Sequence, residues 1–121
     1  MKNPIEIKMA KTATDFEHAK KLILEYVAWL GIDLSFQNFD KEMEGLPEMY
    51  NYEDGGLFIA YINEEAVGIA GIRRFNKNDG EIKRMFVQPN SRGLGIGQLL
   101  LNHCIEKARK LNYDTIKLDT A

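Results

Sequence analysis

Three glycines at every second position, Gly93, Gly95 and Gly97, stand between a stretch that reads as a strand and one that reads as an apolar helix. The unit runs from Glu81 to Leu101, E-I-K-R-M-F-V-Q-P-N-S-R-G-L-G-I-G-Q-L-L-L. Glycine costs a helix about 1 kcal/mol relative to alanine, so a series of them at a helix entrance requires a reason. A phosphate group supplies one. Without Cβ atoms the backbone comes close to an anion, and the free N–H groups of the first helical turn, with the dipole behind them, stabilise its charge.

Three phosphate-binding patterns compete for this unit. A dinucleotide fingerprint G-x-G-x-x-G needs a βα unit early in a larger fold and an acidic residue on a following strand. Here the spacing is G-x-G-x-G, the unit comes late, and one strand remains after it. A P-loop needs Lys-Ser or Lys-Thr after its last glycine, and none follows. The pattern that fits is Arg92-x-x-Gly95-x-Gly97, with Gly93 beside it, directly after a strand ending Met85-Phe86-Val87-Gln88-Pro89. It closely resembles the acyl-CoA loop of the GNAT superfamily of N-acetyltransferases, Gln/Arg-x-x-Gly-x-Gly/Ala. An ordinary glycine-rich connection between strand and helix is the competing structural reading.

A chain of 121 residues is long enough for one domain with one core, and 1–121 is read as a single acyl-CoA N-acyltransferase-like domain. The net charge is −2 with Lys and Arg dispersed, so no nucleic-acid surface is expected. The start, Met1-Lys2-Asn3-Pro4-Ile5-Glu6, has no signal-like apolar region, and no run approaches the ~20 apolar residues of a membrane span. Cys104 is the one cysteine and cannot form an internal disulfide. A cytoplasmic protein with no membrane contact is expected.

Along the chain, Ile5 to Ala10 alternates as a half-buried strand. Thr14-Asp15-Phe16-Glu17 reads as a capping box opening a helix that Gly31 ends. Phe39 to Leu46 reads as a short second helix stopped by Gly45 and Pro47, with a loop from Glu48 to Gly56. Strands follow at Leu57–Ile62, Ala66–Phe75 and Glu81–Val87, then a helix over Ile96–Leu111 and a strand over Thr115–Thr120. The order β-α-α-β-β-β-α-β gives an α/β (α+β) mixed sheet, an antiparallel meander closed by one parallel crossover. It is also the order of the GNAT fold, whose domain normally continues with a further helix and two strands. The resemblance therefore implies a C-terminally incomplete sheet, and its exposed fifth strand is expected to give a homodimer through the C-terminal region, by pairing of fifth strands or packing of the uncovered face.

Residue by residue, the resemblance implies that the pyrophosphate of coenzyme A lies against Arg92, Gly93, Leu94, Gly95, Ile96, Gly97 and Gln98. It implies that the pantetheine arm runs beside the fourth strand at Met85, Phe86 and Val87, pairing with backbone groups as an added strand does. Plain core packing is the alternative for those three side chains. Transfer of an acyl group to an amine needs a base and a polarised carbonyl. Glu81, at the place where some relatives carry a glutamate, is the candidate base; a charged strand start after Asn78-Asp79-Gly80 is the bland reading. The backbone N–H of Met85 is the candidate for carbonyl polarisation. The family's usual proton donor is a tyrosine in the segment absent here, and Tyr113 matches no motif.

Trp29, Phe36, Phe39, Tyr50 and Tyr52 fall where the resemblance places the acceptor, as pocket or as core; Trp29, Phe36, Tyr50 and Tyr52 are the candidates retained. Arg73, Arg74, Lys83 and Arg84 read either as an anion-attracting group or as paired, solvated charges. His18 and His103 lie in helices without a histidine partner at metal spacing, so no metal is expected. Cys104 reads as a small core residue. The expected function is acetyl-CoA-dependent N-acetylation of a primary amine on a small molecule or peptide. Two alternatives stand beside it: a non-catalytic acyl-CoA-binding module, and a fragment completed by a second chain.

Overall fold

Leu57-Phe58-Ile59-Ala60-Tyr61-Ile62 is an unbroken apolar run, and such a run suits a strand covered on both faces. In the computed structural model, which describes residues 4–31 and 39–118, it lies in β2 (Gly56–Ile62), within a five-stranded sheet ordered β1-β2-β3-β4-β5. β1 is Ile5–Met9, β3 Glu65–Arg74, β4 Asp79–Val87 and β5 Thr115–Leu118. The junctions from β1 to β4 are antiparallel, and β4–β5 is parallel. Helices α1 (Ala13–Leu30), α2 (Phe39–Glu44) and α3 (Leu46–Met49) cover one face, and α4 (Ile96–Lys110) covers the other. The expected mixed sheet is therefore present.

The period-2 alternation of β2 divides its side chains between two cores. Leu57, Ile59 and Tyr61 join Leu22, Ile23, Tyr26 and Leu46 under α1 and α3, while Phe58 and Ala60 meet Ile96, Leu100 and Cys104 of α4. On β3, Gly68 lets α4 approach closely: a Cβ there would stand 3.1 Å from Ile96 and 3.2 Å from Leu100. That contact fixes the first turn of α4 against the sheet.

Several local expectations are corrected. The cap of α1 is Thr12, not Thr14: its hydroxyl accepts from the Asp15 N–H at 3.1 Å, and the Asp15 carboxylate accepts from the Thr12 N–H at 3.2 Å. Asp15 serves because it also accepts from the Lys11 N–H and the Tyr61 hydroxyl. Burial raises its carboxyl, but these hydrogen bonds prevail and hold it below the usual aspartate value. Pro47 does not stop a helix. Gly45 caps a new one, α3, in whose first turn a proline loses no hydrogen bond. The hairpin between β2 and β3 turns on Asn63 and Glu64 at positive φ, with Ile62 opposite Glu65. Residues 119 and 120 of the expected fifth strand lie outside the described residues.

The largest departure is in β4. Ile69 pairs with Phe86 and Gly71 with Lys83, so Ala70 alone stands opposite Arg84 and Met85. That is a β-bulge, and Arg84 adopts φ +59 within it. A bulge shifts the alternation by one residue. Ile82 accordingly faces α4, whereas Phe86 faces α1.

Candidate active site

The cleft follows from two events at one end of the sheet. β4 reaches Val87, turns through a 3₁₀ segment at Pro89–Ser91, and enters α4 with Gly95 at its N-cap. Gly93 and Gly95 both lie at positive φ, +87 and +82, which reverses the chain into the helix. Met85, Phe86, Val87, Arg92, Gly93, Gly95, Ile96 and Gly97 thereby line one cleft of about 420 Å³, with Trp29 from the end of α1 opposite them. These expected cofactor residues come together. Leu94 points out, 49% exposed, and the Gln98 side chain turns along the helix to Asn102.

No side chain caps α4, so the N–H groups of Ile96, Gly97 and Gln98 have no acceptor within the helix. Arg92 lies across the cleft. Its guanidinium stacks 4.8 Å from the Trp29 ring and 5.8 Å from that of Phe86, and its Nε donates to the Val87 carbonyl at 2.9 Å. Beside β4, β5 pairs only with Asp79 to Ile82 among the described residues. Met85 to Val87 therefore have no strand on that side among the described residues, which leaves room for an extended arm.

Glu81 is not part of the cleft lining. It lies below the bulge, opposite Arg73 in the β3–β4 register, and accepts from Arg73 Nε at 3.2 Å with only 14% of its side chain exposed. At ~3.3 Å per residue of strand, Glu81 and Met85 are separated by roughly 10–13 Å of backbone.

Around Glu81 the structure assembles a buried polar group that sequence reasoning did not see. Arg84 makes a bidentate ion pair with Glu42 of α2, Nε to Oε2 at 2.8 Å and Nη2 to Oε1 at 2.6 Å. Burial works against the Arg84 charge, but Glu42 more than offsets it, so the guanidinium is more firmly protonated than usual. The Tyr50 ring packs on Gly71, and its buried hydroxyl has no hydrogen-bond partner among the described residues. Burial, then the Glu42 charge, raise its pKa. The two arginines that end β3 are paired too, Arg73 to Glu81 and Arg74 to Asp54.

The acceptor candidates do not converge. Trp29 belongs to the cleft, whereas Tyr50 and Tyr52 line a second pocket of about 400 Å³ with Phe16 and Pro47. Phe36 lies outside the described residues. His18 hydrogen-bonds Tyr61, and His103 the Leu99 carbonyl. Tyr113 donates to the Asp54 carbonyl, so it is engaged in joining loops. Cys104 is fully buried, and burial pushes its thiol up to about 12, consistent with a core residue. Among the described residues no helix is long and apolar enough to cross a membrane.

The sequence matches the profile of the acetyltransferase (GNAT) family over residues 23–121. It is 31% identical to an uncharacterised N-acetyltransferase of Dictyostelium discoideum, covering 94% of this chain and 81% of that protein. It is 35% identical to an uncharacterised N-acetyltransferase of Schizosaccharomyces pombe, covering 96% and 72%. Among solved structures, a GNAT-family acetyltransferase from Staphylococcus aureus superposes with a TM-score of 0.82 at 28% identity, over 97% of this chain and 73% of that one. A predicted acetyltransferase from Clostridium acetobutylicum, solved with acetyl-CoA, has the same fold: TM-score 0.83 at 18% identity, over 98% and 82%.

Proposed function

We propose, from the premise that this chain belongs to the GNAT family of acetyltransferases, that it is an N-acetyltransferase using acetyl-CoA and a primary amine of a small molecule or peptide. One observation carries the cofactor reading. Gly93 and Gly95 are accounted for by positive φ, but Gly97 is not: it sits in the first turn of α4, and a Cβ added there would meet no atom within 4 Å outside its own helix. Neither backbone conformation nor packing requires glycine at 97. A ligand brought against the helix entrance does, and the open N–H groups beside it suit a pyrophosphate.

Acetyl-CoA supplies the thioester whose acetyl group is transferred. The protein's part is then divided among few groups. The N–H groups of Gly95 to Gln98 hold the anion, and the unpaired edge of Met85 to Val87 orients the arm. Arg92 exchanges the Val87 carbonyl for a phosphate as the arm enters. The Met85 N–H donates to the thioester oxygen, Glu81 takes a proton from the amine through a water, and as the amine nitrogen bonds the carbonyl carbon the C–S bond breaks and coenzyme A leaves as its thiolate. Trp29 is assigned to the cofactor side, leaving Tyr50 and Tyr52 as acceptor candidates.

The deciding experiment is acetyl-CoA titration calorimetry on the wild type and Gly97→Ala, with thiol release followed across a panel of amines. Gly97→Ala should stabilise the fold by about 0.5–1 kcal/mol and yet weaken acetyl-CoA binding about tenfold or more. An affinity left unchanged by the added methyl would remove the phosphate-loop reading.

β5 also stands at the edge of the described sheet, with Leu118 59% exposed. An open edge of this kind supports pairing with a second copy, as a homodimer. Light scattering should then report twice the chain mass at micromolar concentration; a monomer at high concentration would exclude it.

A further inference from the structure

We propose that Glu42 is a positioning residue, whose ion pair with Arg84 holds the β4 bulge and thereby aims the Met85 N–H into the cleft. This rests on the reading of Met85 as the donor to the thioester oxygen. Arg84 adopts φ +59, in the left-handed region that a side chain with a Cβ disfavours. Something must hold an arginine there, and the strand partner does not: opposite Arg84 and Met85 the ladder to β3 is interrupted. What does reach Arg84 is Glu42, through both oxygens, from a helix on the neighbouring layer.

Burial makes this pair unusual. Glu42 and Arg84 side chains are 11% and 13% exposed, and a buried ion pair is weak support for stability, since desolvation offsets much of its attraction. Its two parallel hydrogen bonds fix a planar guanidinium in orientation as well as position. The Arg84 backbone carries the peptide to Met85, so fixing Arg84 fixes the direction of the Met85 N–H. A donor held in place before the reaction loses nothing to reorganisation during it. The same bulge turns Phe86 toward α1, where it meets Tyr26 and Trp29 at ring separations of 5.7 and 6.2 Å.

The test compares Glu42→Gln, Arg84→Gln, the double variant E42Q/R84Q, and E42Q/R84G. Each is followed by kcat, acetyl-CoA Kd and the intraresidue amide–Hα NOE of residue 84, which is strong when φ is positive. Glu42→Gln should lower kcat about tenfold while acetyl-CoA Kd stays within about threefold, because the lost donor alignment acts on the reacting carbonyl. E42Q/R84Q should be no slower than the slower single variant, since both changes remove one interaction. E42Q/R84G should return to within about threefold of wild-type kcat, because glycine adopts positive φ unaided.

Glutamine at 42 should also abolish the strong NOE, and glycine at 84 should restore it to the stereospecifically assigned pro-R Hα, the one that occupies the place of an L-residue's Hα. Persistence of the NOE in E42Q/R84Q would overturn the proposal. So would a glycine variant as slow as its glutamine counterpart despite a restored NOE. A wild type that binds no acetyl-CoA would defeat the proposed function instead, and the NOE series would still decide what holds the bulge.

Discussion

Gly95→Asp should reduce acetyl-CoA affinity by about 10²-fold or more, because at an effective dielectric of 20 two unit charges about 4 Å apart repel by about 4 kcal/mol. The substitution places a carboxylate at the N-cap of α4, beside the N–H groups that would hold the pyrophosphate. The fold should tolerate it. A Cβ at Gly95 meets no atom within 4 Å, and aspartate is among the residues that accept positive φ most readily. Strain at φ +82 is expected to cost about 1–2 kcal/mol, read as a modest fall in Tm. Gly95→Asn has the same size and a similar tolerance of positive φ without the charge, so the difference between the two variants isolates the electrostatic part. That difference should narrow with salt, since the Debye length shrinks from about 10 Å at 0.1 M to about 3 Å at 1 M. Dephospho-coenzyme A should follow the same order, because in the proposed mode the loop would face the pyrophosphate. Calorimetry giving Gly95→Asp the affinity of the wild type would leave the glycines without a ligand.

The cleft was legible in the sequence because its signals are local. Gly93, Gly95 and Gly97 follow the end of a strand and precede an apolar helix, and geometry at such a junction depends on few distant residues. The sheet was legible for the same reason: β2, β3 and β4 are each bounded by turn residues, and α4 announces its buried face through Cys104 and Ala108, although Leu101 and Ile105, read from the sequence onto that face, are only partly buried. The two-core arrangement follows from β2 alone. What escaped was long-range or conformational. Glu42 and Arg84 are 42 positions apart; Arg84 reads with its neighbours as an anion-attracting group or paired, solvated charges, and nothing in the sequence singles out Glu42. Their pairing depends on the bulge, which depends on the register of β4 against β3. One local sign existed: Lys83-Arg84 places two charges in succession where a strand should alternate, and the alternation resumes on the other face at Phe86. The misplaced cap of α1 has a simpler origin. Thr12-x-x-Asp15 and Thr14-x-x-Glu17 overlap, and the pattern with glutamate resembles the usual box more closely. Asp15 prevails through Tyr61, a partner 46 positions away. The aromatic group was separated by the same kind of effect, with Trp29 carried along α1 to the cleft and Tyr50 placed over Gly71.

Glu81→Gln should lower kcat by roughly 10²-fold at neutral pH while leaving acetyl-CoA affinity unchanged. Glutamine keeps the size and the hydrogen-bonding oxygen of Glu81 but cannot take a proton. Its position outside the cleft predicts the second half: no cofactor contact is lost. The ion pair with Arg73 supplies the competing account, in which Glu81 is a cross-strand charge and nothing more. The two accounts differ in size and in kind. Losing one partly exposed cross-strand pair costs about 0.2–1 kcal/mol of stability, a shift in Tm with no reason to touch turnover. Losing a base changes turnover and leaves a pH signature. An amine attacks only in its neutral form, so as pH rises toward the amine's own pKa, free nucleophile becomes abundant and the need for a base falls. The deficit of Glu81→Gln should therefore be largest at neutral pH and shrink steadily on the alkaline side. A more basic acceptor should carry that recovery to higher pH. Parallel pH–rate profiles for wild type and variant, offset by a constant factor, would indicate that Glu81 orders the strand without moving a proton; coincident profiles would return it to the surface charge its sequence context suggests.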